Sequence, residues 1–312
     1  MRPLGGGPDY FAPSYAWAAM MAWAIPASVF WPYFDALAIL AIGLPVIFKE
    51  IPQVQGADKV LPLGRMFYAL PMVVFAAEHF TGARGMSQIV PSWIPFRVFW
   101  VYLVAFALVA AALALVTRIQ APLAALLAGI MFLLFVCLIH LPNAIEHPGD
   151  RFRWAVAFRD SAFGGGPLAY AGGHANEWGK QRRHALVNVG RIIIGVTAIF
   201  FAVEHFLHPT HMPGVPLAKE MVEWIPARPL WGYLTGATLL ICGLGILLKR
   251  KARLAATCLG VEIVFMVLLV YLPTLVLHPS DIGNEMNYFA DTMMFSGTIL
   301  LLAAALPRED RT

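Results

Sequence analysis

The sequence predicts an all-α, polytopic membrane protein: two parallel four-helix transmembrane repeats preceded by an N-terminal hydrophobic helix. Three observations predict it. Of the 312 residues, 60% are hydrophobic and 13% charged, with a mean hydropathy of +0.71, which leaves too little polar surface to solvate a water-soluble domain of that size. Apolar runs of about 20 residues, the length that crosses about 30 Å of hydrocarbon, recur from Tyr15 almost to the C-terminus. Finally, one half of the chain repeats in the other. Alternating barrel patterns are absent, so helices must satisfy the backbone polar groups in lipid.

Residues 1–60 form an N-terminal extension. It opens on Arg2 and a Gly/Pro-rich stretch, so no cleavable signal peptide is expected. Its apolar stretch 15–48 is interrupted by Pro26, Pro32 and Asp35, and is read as one span rather than a helical hairpin. Eight further spans are expected near 63–80, 93–117, 121–141, 153–172, 188–207, 228–248, 253–275 and 284–306. They group into a first repeat at 61–172, a basic linker at 173–187, a second repeat at 188–307 and a tail at 308–312.

The grouping rests on self-similarity. Gly64-Arg65 followed by Glu78-His79-Phe80 returns as Gly190-Arg191 followed by Glu204-His205-Phe206, an offset of 190 − 64 = 126. The segment WIPFRVFWVYL from Trp93 matches WIPARPLWGYL from Trp224 at 7 of 11 positions, and the offset has become 224 − 93 = 131. Five residues are therefore inserted between the two motifs. The second offset then holds through Leu141-Pro142 and Leu272-Pro273, through His147 to Asp150 and His278 to Asp281, and through Asp160 and Asp291.

Four spans return the chain to its starting side, so the copies share one orientation about a pseudo-two-fold along the membrane normal. Lys49, Lys59, Arg65, Arg118, Lys180, Arg182, Arg183, Arg191, Lys249 to Lys251, Arg253, Arg308 and Arg311 collect on one side. That side is expected to be cytoplasmic, which puts the C-terminus in the cytoplasm and the chain in a bacterial inner membrane. Basic residues in short loops set topology, and no nucleic-acid partner is expected. The linker cluster reads as an ordinary cytoplasmic loop able to touch anionic lipid head groups. Cys137, Cys242 and Cys258 lie in apolar runs without CxxC spacing, so no disulfide framework is indicated.

An Arg opening a first span, a Glu/His end to that span, and four spans closing on a Gly-rich helix resemble the DoxX-like family, twice over residues 61–306. The resemblance implies a four-helix membrane fold. That fold is similar to membrane subunits of thiosulfate:quinone oxidoreductases, to maturation proteins of periplasmic dehydrogenases and to a eukaryotic surfeit-locus cargo receptor, so it leaves the function open.

Candidate ligand-binding residues follow from helix geometry. Arg65 and His79 are 14 residues apart, roughly 21 Å along the axis and about 40° in azimuth, so they share a face. Arg191 and His205 do the same, with Glu78 and Glu204 turned toward neighbouring helices. His147, Asp150, His278 and Asp281 lie on the same outer side and are candidate partners. Asp160 and Asp291 lie deeper, roughly 11 Å below the interface, where an acid either stays protonated or pairs with a buried cation. One reading is a small outer pocket per copy, lined by Trp93/Trp224 and Trp100/Trp231, that holds a quinone head group and relays its protons. The other is that these residues only tie helices together, with Arg97, Arg228 and the tryptophans as interfacial anchors.

Metal and haem rank behind quinone as cofactors. His205, His208 and His211 have i, i+3, i+6 spacing, but Pro209 interrupts them and the first copy has no equivalent. A bis-histidine haem would need His79 and His205 to meet near the pseudo-axis. His140 and Glu262 break the repeat symmetry. No nucleotide motif, CxxCH, serine elbow or zinc-peptidase helix is present. The function classes left are a quinone-interacting or accessory subunit working with a redox partner protein, a transporter or lipid-handling protein, and a membrane scaffold.

Overall fold

The computed structural model describes residues 34–215, 217–278 and 281–308. The described part of the N-terminal extension forms α1, Phe34–Glu50, followed by a short 3-10 turn at Gly56–Val60; the start of the 15–48 stretch lies outside the described residues. The remaining helices are α2 (Leu63–Met86), α3 (Arg97–Thr117), α4 (Ala121–Glu146), α5 (Arg151–His174), α6 (Lys180–Leu207), α7 (Arg228–Leu247), α8 (Ala252–Leu277) and α9 (Ile282–Ala305). There is no strand among the described residues, only one isolated bridge between His211 and Glu220.

Seven of these helices are long and apolar enough to cross a membrane: α2, α3, α4 and α6 to α9. Helix α5 is 24 residues long but falls short on composition, because Arg151, Arg153, Arg159 and Asp160 occupy its first ten positions. Packing explains why a polar helix is tolerated. Helix α5 lies against α4, α6 and α9, and α9 lies against α2, α5 and α8. These two helices meet each other at the centre, while α3, α4, α7 and α8 turn more of their surface outward. Of the apolar stretch of α9, 72% is buried, against 28% for α4. A helix surrounded by protein needs polar partners rather than apolar side chains, so hydropathy understates it.

The ends of the outer helices are set by backbone geometry that recurs at one spacing. Phe96 and Ala227, Arg118 and Lys249, and Gln120 and Lys251 are left-handed non-glycine residues flanking α3, α4, α7 and α8. Each pair is 131 residues apart, for example 227 − 96. Helices α4 and α8 each contain a π turn, Val136–His140 and Val267–Tyr271, where the amide of Leu141 or Leu272 reaches back five residues to a carbonyl. Pro142 and Pro273 follow at once. A proline lacks the N–H that would close the ordinary turn, so the ladder slips by one residue at the same place in both helices.

Small residues let the central helices approach. A Cβ at Gly166 on α5 would collide with the Thr298 backbone of α9, and one at Gly297 on α9 with the Tyr68 backbone of α2. Gly297→Leu is expected to destabilise the protein by about 1–3 kcal/mol, the usual cost of overpacking, and lower its melting temperature in detergent. Gly283→Leu, on the same helix with nothing within 4 Å of the added carbon, is expected to leave it unchanged.

Candidate functional site

The contact of α5 and α9 brings together a set of charges that no single span reveals. Arg159 of α5 is its hub. Its Nε donates to Asp160 Oδ1 at 2.8 Å, and its Nη1 donates across to Asp291 Oδ2 on α9 at 2.5 Å. The guanidinium carbon lies 5.5 Å from the Phe163 ring centroid. The second oxygen of Asp160 takes His140 Nε2 at 2.9 Å. His140 is the last residue of the π turn in α4, so the slip induced by Pro142 is what turns the imidazole onto α5. Both carboxylates are buried, each 5% exposed. At that burial an unpaired charge costs several kcal/mol, which pairing with good geometry offsets.

Glu78 of α2 lies on the same cluster. It is half-buried, its carboxylate makes no hydrogen bond or ion pair among the described residues, and it feels the charges of Asp291 and Arg159. His79 donates or accepts locally, with Nδ1 2.7 Å from the Phe75 carbonyl. The phenol of Tyr68, one helical face below, donates to the Phe163 carbonyl at 2.8 Å. The first half thus presents a partly open carboxylate above a buried ion network.

The second half is closed. Glu204 accepts from Arg151 Nε at 2.6 Å, and Arg151 Nη1 also donates to the Leu217 carbonyl at 2.9 Å. His205 is fully buried, and its Nε2 accepts from the Gly214 amide at 3.1 Å. The loop that contains the five-residue insertion makes this seal. It folds back through Met212 N to Lys219 O and Met221 N to Thr210 O. Met212, Val215, Leu217 and Met221 of this loop are buried. Lys219 pairs with Glu285 of α9 and lies 5.3 Å from the Tyr288 ring centroid, and Tyr271 donates to the Pro213 carbonyl at 2.8 Å.

Other residues expected to share an outer pocket are exposed or bonded to local partners. His147 is exposed, with Nδ1 3.1 Å from the Asn143 carbonyl. Asp150 caps α5 through the Phe152 amide, and the Arg153 side chain bound to it holds its carboxyl below the usual range. Asp281 accepts from Asn284 at the start of α9, and His278 is exposed. The tryptophans do not line a pocket: Trp93, Trp100, Trp224 and Trp231 are all exposed, and the indoles of Trp100 and Trp231 donate to the carbonyls of Pro95 and Pro226 at their own helix starts. Arg65 and Arg191 lie at the opposite, basic end. Arg65 pairs with Glu50 of α1, and Arg191 donates to the Ile246 and Leu247 carbonyls.

The three histidines are not gathered as metal ligands. His208 and His211 stack edge to face at 5.1 Å, and among the described residues no three His, Cys, Asp or Glu side chains are placed to hold a metal. The Nε2 that a haem iron would take on His205 is engaged by Gly214. No protein-family model, curated protein or solved structure matches the chain.

Arg159, Arg151 and Glu285 went unselected by sequence reasoning. The adjacent Arg159-Asp160 pair was a readable signal, since the residue 131 positions on from Arg159 is Ala290.

Arg159→Ala leaves two buried carboxylates without their cation and is expected to cost about 3–5 kcal/mol, seen as a fall in melting temperature. The same change combined with Asp291→Asn should recover part of it. His211 lies in the loop that makes the seal, bridged to Glu220. Burial, then Arg151, pushes its imidazole below the ordinary value of 6.5. As pH falls through that value, the unfolded chain takes up the proton before the folded loop does, so stability is lost on acidification. Melting temperature should therefore drop between about pH 7.5 and about pH 5, and drop less in His211→Gln.

Proposed function

We propose that this chain is a DoxX-like tandem duplication whose first half binds the head group of a quinone, as a quinone-interacting or accessory subunit of a membrane oxidoreductase system. The observation that carries the reading is Glu78, a half-buried carboxylate without an ion pair that stands over the Arg159, Asp160, Asp291 and His140 network. Such a carboxylate at membrane depth needs a proton, water or a ligand, and a quinone head group supplies hydrogen-bonding oxygens on an apolar ring. Glu78 and His79 would hydrogen-bond that head group and exchange its protons, and a redox partner protein would carry the electrons. The recurrence of left-handed residues and π turns at a spacing of 131 supports the duplication. The weight of Lys and Arg at one end supports a cytoplasmic C-terminus in an inner membrane, with lipid around the outer helices.

A transporter is the second reading, favoured by one observation: the buried network bridges the two halves, from Arg159 on α5 to Asp291 on α9, where repeat-built transporters place their sites. Extraction and chromatography of the detergent-purified protein separates the two. Under the first reading quinone co-purifies, and Glu78→Gln weakens its retention about tenfold, whereas Glu204→Gln leaves retention intact and lowers only the melting temperature. Retention unchanged in Glu78→Gln rules out the first reading. Solute flux in proteoliposomes that is abolished by Asp291→Asn would establish the second.

A further inference from the structure

The two halves treat their equivalent arginines differently. In the first half Glu50 of α1 bridges Arg65 and Arg118, the latter at 3.2 Å. In the second half the equivalents are Arg191 and Lys249, by the offsets 191 − 65 = 126 and 249 − 118 = 131. No carboxylate bridges them among the described residues. Instead they border a cavity of about 800 Å³ between the ends of α5, α6, α7, α8 and α9. Lys180, Arg183, Arg191, Lys249 and Arg253 line it, together with apolar Trp178 and Leu306, and among the described residues none that lines it is acidic.

Some of that charge is already engaged. Arg253 pairs with Asp58 and donates to the Ala303 and Leu306 carbonyls, and Arg183 donates to the Gly172 and Gly173 carbonyls. Arg191 is not fully satisfied. It is 7% exposed, its Nη1 serves the two carbonyls of α7, and its buried Nε has no acceptor among the described residues. A buried guanidinium N–H without an acceptor is costly, and a charged acceptor is what relieves it. The start of α8 at Ala252 also borders the cavity and adds the positive end of a helix.

We propose that this cavity binds a phosphate group, held by Arg191, Lys249 and Lys180 in the place that Glu50 takes in the other half. Two sources carry that chemistry: the head group of an anionic phospholipid, whose chains would lie along the outer helices, or a soluble phosphorylated compound. The site is independent of the quinone reading, since it lies at the other end of the bundle.

The test uses the full chain in mild detergent, with binding read by native mass spectrometry and by melting temperature. Phosphatidylglycerol is expected to bind about ten times more tightly than phosphatidylcholine. Lys180→Gln with Lys249→Gln, both exposed side chains, should abolish that preference, and Arg191→Gln should do the same if it folds. Lys49→Gln with Lys59→Gln, an equal loss of charge at the same end, should leave it intact. Stabilisation by phosphatidylglycerol alone identifies a lipid site, and equal stabilisation by inorganic phosphate identifies a soluble ligand. Equal affinity for the two lipids with no stabilisation by inorganic phosphate, or an equal effect of the two double variants, overturns the proposal.

Discussion

One guanidinium shared by two carboxylates underlies the centre of this protein. Arg159 stands on α5 and bonds both Asp160 beside it and Asp291 on α9. In a medium as apolar as this core, three separated charges would be prohibitively costly, and together they carry a net charge of about one unit that His140 and Glu78 help to set. The network therefore requires α5 and α9 to touch, which glycine at Gly166 and Gly173 permits. Once the central pair is fixed, the outer helices bury or show to lipid mainly apolar faces, with His140 of α4 reaching in to Asp160.

Left-handed residues and π turns recur at a spacing of 131, and the side chains around them differ. Ala290 stands where the second half would have its own Arg159, so one cation serves both aspartates. The π turn of α4 ends on His140, which reaches Asp160, while that of α8 ends on Tyr271, which donates to the inserted loop. The same proline-driven slip thus delivers a titratable group to the ion network in one half and a loop anchor in the other. Glu204 and His205 repeat the Glu78-His79 motif, yet the loop after them converts a partly open site into a sealed one.

That the chain is helical, with several helices long and apolar enough to cross a membrane, was legible in the sequence, because length and residue type along each run carry it. The pairing of Asp160 with a buried cation was legible in kind. Its partner was not chosen, because Arg159 sits in a span that hydropathy makes look marginal, and only the packing of α5 between α4, α6 and α9 shows why a charge belongs there. For His147, Asp150, His278 and Asp281 the sequence left a different question open. Sharing a side of the membrane places residues at one depth without placing them on one face, and Asp150 and Asp281 had local work to do at the starts of α5 and α9. Glu50 and Asp58 were invisible as partners because they bond Arg65 and Arg253 across distances in sequence that no periodicity spans.

The depth of the two open sites bears on how they can work together. Glu78 is near the end of α2 that carries the Glu-His motif, and Arg191 lies at the basic end of α6, so the two sit toward opposite ends of the bundle. A ligand at one surface and a phosphate at the other would each bear on the α5 and α9 pair: the first through Asp291, the second through the helix ends at Gly172 and Ala305. Coupling between them would require α5 and α9 to have two arrangements of their shared ion contact, since a rigid pair transmits nothing. A single arginine holding two acids is a contact of that type, because Asp291 ties Arg159 to α9 while Asp160 can hold it within α5.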